Sequence, residues 1–432
     1  MATLIIDNGA YSLKAGFAIS DSELYPSIIP NCIARDREKN LYVGSQLSNC
    51  RDFSEIVYRR PVERGYQVDW EAAKEIWENE FFHPKAKLYC NPNDIGLILT
   101  EAPNTLPVLQ TNCDQMIFEE FGFNRYLRCL GPQLNAYNDI QTLFEEPPHK
   151  PVNCTNIPAE ILMLIDTGYS HTTITPLLNG RPLQTSIRRL DVGGKLLTNH
   201  LSRLLSIRNY DMTGETYVVN AIKEATCYVA KDFQADMEKT WKGPKGDRRA
   251  VYELGDGIAM DYVLPDYHTQ IKGFARSHDP TAATKLKEMI TGRSVGATED
   301  IITLRNERFI VPEVLFNPTD IGIQQSGIAQ QVMDSLSSLP MALWPGFLAN
   351  IICVGGSSKM VGFIDRLQAE IRTLAPIECK VRVTRPPSPI ISTWLGGVNL
   401  AKQETIIREL SVTKEEYDEY GAGWAARKFA GI

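Results

Sequence analysis

Two short phrases in this chain end in the residues that would carry chemistry. Thr3-Leu4-Ile5-Ile6-Asp7-Asn8-Gly9 is answered in the second half by Leu162-Met163-Leu164-Ile165-Asp166-Thr167-Gly168. In each, an apolar run long enough for one buried strand ends in a carboxylate and then a glycine. Glycine permits a φ > 0 turn whose backbone N–H groups converge on an anion. Aspartate is a hard oxygen ligand, suited to a hydrated Mg²⁺ rather than to a softer metal. One such turn alone is a plain turn. Two, at corresponding places in two halves, predict a duplicated α/β protein that grips a nucleotide's phosphates from both sides.

Two further groups fit that chemistry. Lys14 falls on the strand expected after the first turn, where its ammonium would reach back to the phosphates as a point charge; a solvated surface lysine is the plainer reading. Ile351-Ile352-Cys353-Val354-Gly355-Gly356-Ser357-Ser358 reads as a buried strand that breaks into a double glycine. Without side chains there, a flat ring could lie against the backbone, although most glycine pairs after strands are simple turns.

The elements that must position these groups follow from patterning. At 432 residues the chain is too long for one core, so two or more lobes are expected. Its 43% hydrophobic and 22% charged content is that of an ordinary globular protein, with no apolar run long enough for a membrane span. The first strand begins at Thr3, which leaves no room for a signal peptide. Nine cysteines are scattered without zinc-like spacing, and six histidines form no H-x-x-x-H cluster, so reduced buried thiols are expected and a zinc enzyme is not. A net charge of −7 argues against a whole-surface nucleic-acid binder.

Helical spacing of Trp70, Ala73 and Trp77 predicts a helix. Ile95-Gly96-Leu97-Ile98-Leu99-Thr100 predicts a buried strand, and the Pro-rich stretch 145–151 a surface linker. Leu197, Leu201, Leu204 and Leu205 predict a helix over 196–205, and a second is expected over roughly 217–237. The stretch 241–303 is rich in Gly, Asp, Lys and Thr and carries one conspicuous apolar island, Met260-Asp261-Tyr262-Val263-Leu264-Pro265. That island reads two ways: Tyr262, Val263 and Leu264 as an anchor for a partner, or as a strand pairing within its own lobe. Lys242, Lys245, Arg248 and Arg249 likewise read as a contact with DNA or as a solvated loop.

Along nearly its whole length the chain resembles the actin superfamily. The resemblance rests on ordered phrases: Asp7-Asn8-Gly9 with Lys14-Ala15-Gly16-Phe17, Thr100-Glu101-Ala102-Pro103, Asp166-Thr167-Gly168, Lys223-Glu224 with Cys227-Tyr228-Val229-Ala230, and Asn306-Glu307-Arg308-Phe309. Pro312-Glu313 with Leu315-Phe316, Gly355-Gly356, Trp394-Leu395-Gly396-Gly397 and Lys414-Glu415-Glu416-Tyr417-Asp418-Glu419 complete the series. It implies an α/β actin fold of two RNase-H-like lobes around a nucleotide cleft, each with a smaller subdomain. Residues 1–31, 61–146 and 392–432 would form subdomain 1, and 32–60 subdomain 2. Residues 147–192 and 324–391 would form subdomain 3, and 193–323 subdomain 4 with an insertion at about 241–303. It also implies ATP (or ADP) with Mg²⁺ in the cleft. Gly9, Ala10, Tyr11 and Lys14 would meet the phosphates from one side, and Gly168, Tyr169 and Ser170 from the other. Asp7 and Asp166 would lie near the metal through water, Lys223 and Glu224 by the ribose and base, and Gly355, Gly356 and Met360 under the adenine.

The departures from actin matter as much. Ala10-Tyr11 stands where actin has a serine-glycine pair, and Tyr169 where it has a second aspartate. The glutamine that positions water in actin aligns with Gly131. Gln133, two residues along a helix, points roughly 200° away. Hydrolysis needs a water placed in line and charge stabilisation around it, so binding without turnover is expected, and no catalytic residue. The loop between Pro30 and Tyr42 is shorter than actin's, and Asp320 replaces an aromatic ring in the plug Phe316-Asn317-Pro318-Thr319-Asp320-Ile321. Burying that carboxylate at a filament contact would be costly, so a filament former is not expected.

Val192-Gly193-Gly194-Lys195-Leu196-Leu197-Thr198-Asn199-His200-Leu201, the 260–266 island and Asp7-Asn8-Gly9-Ala10-Tyr11 resemble the nuclear actin-related proteins more narrowly. That resemblance implies a non-catalytic subunit of a Swr-type chromatin remodeller, which exchanges histone variants in nucleosomes. It would dock on the remodeller ATPase and pair with a small HIT-type zinc-finger subunit, in the nucleus with some in the cytoplasm. A link to heterochromatin belongs to the same picture. A slow ATPase on an actin or sugar-kinase scaffold, and a cytoskeletal actin-related protein, are the competing expectations.

Overall fold

The computed structural model describes residues 2–18, 25–144, 158–208, 210–242, 257–267, 270–278 and 299–430. The linker expected at 145–151 and the basic residues Lys245, Arg248 and Arg249 fall outside them, as does the side chain of Lys242.

The duplication seen in the sequence is a duplication of sheet topology. The first apolar phrase forms β1 (Thr3–Asn8), which pairs antiparallel with β2 (Ser12–Phe17) and parallel with Gly96–Glu101. With β3 (Ser27–Pro30), Arg125–Leu130 and Val412–Thr413 these make a six-stranded sheet. The second phrase forms Ile161–Thr167, antiparallel to Thr172–Leu178 and parallel to Ile351–Val354, at the centre of a second six-stranded sheet. In both sheets the strand ending in aspartate is therefore central, flanked by the strand that follows its turn and by a later parallel one. Such strands are buried on both faces, which is why they read as continuous apolar runs. Leu4, Ile5 and Ile6, and likewise Leu162, Met163 and Ile165, have no exposed surface.

Helices complete each lobe. α1 (Trp70–Trp77) is capped by Asp69, whose carboxylate accepts from Ala72 N, and it buries Ala73, Ile76 and Trp77. The helix Gly194–Arg208 buries Leu197, Leu201 and Leu205, with Leu204 packed at the edge of the same core. The single helix expected over 217–237 is instead two, Thr216–Thr226 and Phe233–Lys242. Between them Tyr228 N donates to Arg308 O (3.0 Å) and Val229 N to Val361 O (2.8 Å). Those amides leave the helical ladder for strand-like partners far along the chain, which local periodicity does not register. Where the loop shorter than actin's was expected, Ile33–Arg35 pairs directly with Leu41–Val43, across a turn in which Asp36 accepts from Asn40 N at 2.8 Å.

The apolar island corrects one expectation. Met260–Val263 is the middle strand of a three-stranded antiparallel sheet, between Phe274–Ser277 and Ile301–Leu304. Tyr262 and Val263 are each 2% exposed, and Leu264 packs at the margin of the second lobe's core. These three residues are not an exposed partner anchor; they hold the insertion to its own lobe. The stretch was polar enough in its flanks to read as a loop, yet its few apolar residues suffice for a sheet that lies against Val218 and Val219. Tyr262→Ala should accordingly cost about 3 kcal/mol of unfolding free energy in a denaturant titration, as for other large buried side chains. A surface anchor would lose almost nothing.

Candidate functional site

The ends of the two central strands face one cleft of 540 Å³. On the first side the pairing register sets Asp7 opposite Lys14, and their side chains meet with Lys14 Nζ 3.2 Å from Asp7 Oδ2. The Thr100 hydroxyl donates to Asp7 Oδ1 (3.0 Å) and accepts from Asn8 N (2.9 Å), so the neighbouring strand fixes the carboxylate's orientation. On the second side the same register sets Asp166 opposite Thr173, with no cation in the equivalent place. Burial and the nearby Asp7 carboxylate push Asp166 up to about 6, with Lys14 opposing. One ammonium thus serves two carboxylates, an arrangement that a divalent cation would complete.

The glycines act through close approach rather than through left-handed backbone. Gly9 and Gly168 are not among the residues with positive φ. A Cβ on Gly9 would stand 2.7 Å from Ser12 O and 2.9 Å from Lys14 Nζ, so glycine there keeps the lysine in place. Their amides close the turns themselves, Gly9 N to Asp7 O (3.0 Å) and Gly168 N to His171 O (3.1 Å). Gly355 is the left-handed one (φ 88°), and a Cβ on it would meet Thr167 O at 2.5 Å. Beside it, a Cβ on Gly356 would have nothing within 4 Å, which leaves backbone open to the cleft.

All twelve residues expected at the nucleotide, from Gly9, Ala10, Tyr11 and Lys14 to Gly355, Gly356 and Met360, line this one cleft with Asp7 and Asp166. Lys223 needs correction in detail. It is 5% exposed, and its ammonium donates to Gly194 O (3.1 Å), Thr198 Oγ1 (2.8 Å) and Asn220 Oδ1 (2.8 Å). All three donors are committed within its own lobe, and burial lowers its pKa. It shapes the wall instead of reaching out. Exposed Glu224, which accepts from Asn220 Nδ2 at 2.9 Å, is the group left at that rim.

At the position that the family resemblance gives to a water-positioning amide the chain has Gly131. Gly131 and Pro132 line the cleft, while Gln133 turns into the protein, its Oε1 accepting from Leu130 N at 2.9 Å. Sequence reasoning missed other contributors. Gly193 and Gly194 lie where the second turn is pinned to the following helix, Gly194 N donating to Gly168 O (3.0 Å) and Lys195 N to Tyr169 O (2.8 Å). His171 and Gly65 meet across the cleft, where a Cβ on Gly65 would overlap the imidazole at 2.2 Å. Only the tertiary pairing reveals that contact. The fit to a nucleotide is good: two turns, the Lys14 ammonium beside Asp7, the Asp166 carboxylate and a bare glycine pair converge on a space of nucleotide size.

Over residues 1–430 the chain matches the family model described as Actin. The chain belongs to the actin family. It is 57% identical over 429 residues to "Actin-related protein 6" of Neurospora crassa, covering 99% of this chain and 94% of that relative. It is 48% identical to "Actin-like protein arp6" of Aspergillus fumigatus, covering 100% of this chain and 95% of the relative. With "Actin-related protein 6" of Drosophila melanogaster the identity is 34%, over 97% of this chain and 98% of the relative. The two sheets described above are the α/β core of the actin fold, and the cleft between them is where that family's shared phrases meet.

His171 carries a pH consequence. Burial, and next Arg189, lower it from 6.5 to about 4, and its Nδ1 has no hydrogen-bond partner in the structure. A base whose folded pKa is depressed contributes its full stability above the unfolded value, and that stability is lost as pH falls from 6.5 through 4. The shift corresponds to about 3 kcal/mol. Thermal melts of His171→Gln against the unaltered chain should therefore converge between pH 6.5 and 4, with the variant nearly flat in that window relative to the parent.

Proposed function

We propose that the chain is a non-catalytic, nucleotide-holding scaffold subunit of a Swr-type chromatin-remodelling complex, acting in the nucleus in histone-variant exchange. The observation that carries the reading is chemical: Lys14, Asp7, Asp166 and the two turns line one cleft, with Gly131 and Pro132 at the position that the resemblance gives to a water-orienting amide. ATP with Mg²⁺, or ADP, would supply a charged wedge joining the lobes. Asp7 and Asp166 would hold the cation through water, and Lys14 would meet the phosphates. A gripped nucleotide without an aligned water is a structural ligand that stabilises the folded chain by mass action.

The relatives' printed names place them among actin-related proteins, and the resemblance of the insertion and phosphate turns to the nuclear members supports the remodeller assignment. On this reading the remodeller ATPase and a small HIT-type zinc-finger subunit are the partners, and nucleosome contact is indirect through them. Exposed Asp320 and the short subdomain-2 hairpin fit a subunit that does not polymerise.

The deciding experiment is the nucleotide content of the purified chain, followed over hours with Mg²⁺ present. Stoichiometric ATP that persists is the expected result. Steady conversion to ADP with turnover would establish the ATPase reading in its place. Lys14→Ala should weaken retention by on the order of tenfold, the loss of one charge-assisted contact, as read by chromatography of the co-purified nucleotide.

A further inference from the structure

The first phosphate turn presents Tyr11 and the second Tyr169, one from each lobe, with ring centroids 5.0 Å apart and planes at 48°. Behind them, directly after the strand Val57–Arg59, stands Arg60. Its guanidinium carbon lies 5.1 Å from the centroid of Tyr11, 5.2 Å from that of Tyr169 and 5.1 Å from that of Tyr58. Its Nη1 donates to the carbonyls of Tyr11 (3.3 Å), Asn31 (3.4 Å) and Ala10 (3.5 Å). Among the described residues Arg60 forms no ion pair, so its charge is met by ring faces and backbone dipoles. A planar cation can serve several ring faces together.

A second tie lies farther out along the same seam. Phe53, from the small subdomain that carries Arg60, stacks on Tyr217 of the other lobe at 3.9 Å and 11°. Beside it Glu55 N donates to Glu215 Oε1 at 3.2 Å. Tyr58, Tyr217 and Tyr267 pack with Phe53, Ile56 and Cys50 as one apolar cluster bridging the lobes.

We propose that Arg60, with Tyr11 and Tyr169, forms a latch across the phosphate end of the cleft that governs how fast a nucleotide leaves. The proposal rests on the nucleotide-holding reading and adds its kinetics. Tyr11 and Tyr169 line the cleft, whereas Arg60 does not line it but lies against both rings, so Arg60 is a positioning residue that acts through the two rings. Parting the lobes must separate Tyr11 from Tyr169 and strip the cation from at least one ring. A tyrosine phenol is neutral across the physiological range at its ordinary pKa, and both are raised further here, Tyr11 to about 12 by desolvation and then Glu224, and Tyr169 by desolvation. The tyrosines, which the sequence marked as departures from actin's phosphate turns, would then account for retention of a nucleotide.

The test is release of fluorescent etheno-ATP from the full chain, chased with excess ATP and Mg²⁺. Arg60→Ala is expected to release it about tenfold faster, losing the contacts to both rings. Arg60→Lys, a compact charge that faces one ring at a time, is expected to fall between it and the unaltered chain. Hydrogen exchange at residues 9–12 and 168–171 should rise together in Arg60→Ala, because one cation joins the two turns. A merely local role would loosen only the segment around residue 60. Etheno-ATP that binds but leaves all three chains at the same rate overturns the latch and leaves the nucleotide reading standing. Failure of the unaltered chain to bind etheno-ATP overturns both. Should Arg60→Ala not fold, release from Arg60→Lys no faster than from the unaltered chain overturns the latch.

Discussion

Two carboxylates that feel each other's charge, with one ammonium paired to only one of them, make an unbalanced arrangement, and the two central strands are organised around it. Asp7 and Asp166 each end a central strand, and each strand is fixed by neighbours on both sides, so neither carboxylate can retreat. Lys14 reaches Asp7 across one register pair, while Asp166 has Thr173 at the matching place. The imbalance shows as the upward shift of Asp166. A bound cation with phosphates would relieve it, which is a physical reason for the proposed nucleotide site.

The two halves share their topology but have diverged in their turns. In the first, a Cβ on Gly9 would collide with Ser12 O and Lys14 Nζ; in the second the crowded position is Gly193, just before the helix Gly194–Arg208, where a Cβ would stand 2.6 Å from the turn's own backbone. Both turns then continue into tyrosine. Those rings meet each other and Arg60, so the feature that departs most from actin's phosphate turns also joins the lobes. On the proposed reading, glycine at position 131 and this aromatic contact would act the same way, toward a cleft that holds a ligand.

The insertion illustrates how the same residues can be read outward or inward. An aromatic and two aliphatics amid polar sequence resemble an interface anchor, yet they form the middle strand of a small sheet. Asp261 on that strand is also buried, accepting from the Thr303 hydroxyl (2.7 Å) and lying 2.8 Å from His278 Nδ1. A carboxylate with those two cross-strand partners is satisfied in place, which makes the sheet a stable platform.

Much of the fold was legible because its central strands are buried on both faces and so leave unmistakable apolar runs ending in Asp and Gly. The cleft residues were legible for the same reason: Asp7, Lys14, Asp166, Gly355 and Gly356 sit at or beside strand ends, where local pattern determines position. What the sequence could not express are choices made by distant partners. Whether Tyr262 faced solvent or core depended on strands some forty residues apart. The break after Thr226 depended on Arg308 and Val361, and the commitment of the Lys223 ammonium on Gly194 and Thr198. Arg60 had no signal at all, since its meaning comes from two tyrosines that only the closed arrangement of the lobes brings to it. Strand and turn identity follow from neighbours in the chain; burial, commitment of donors and contact across a cleft follow from neighbours in space.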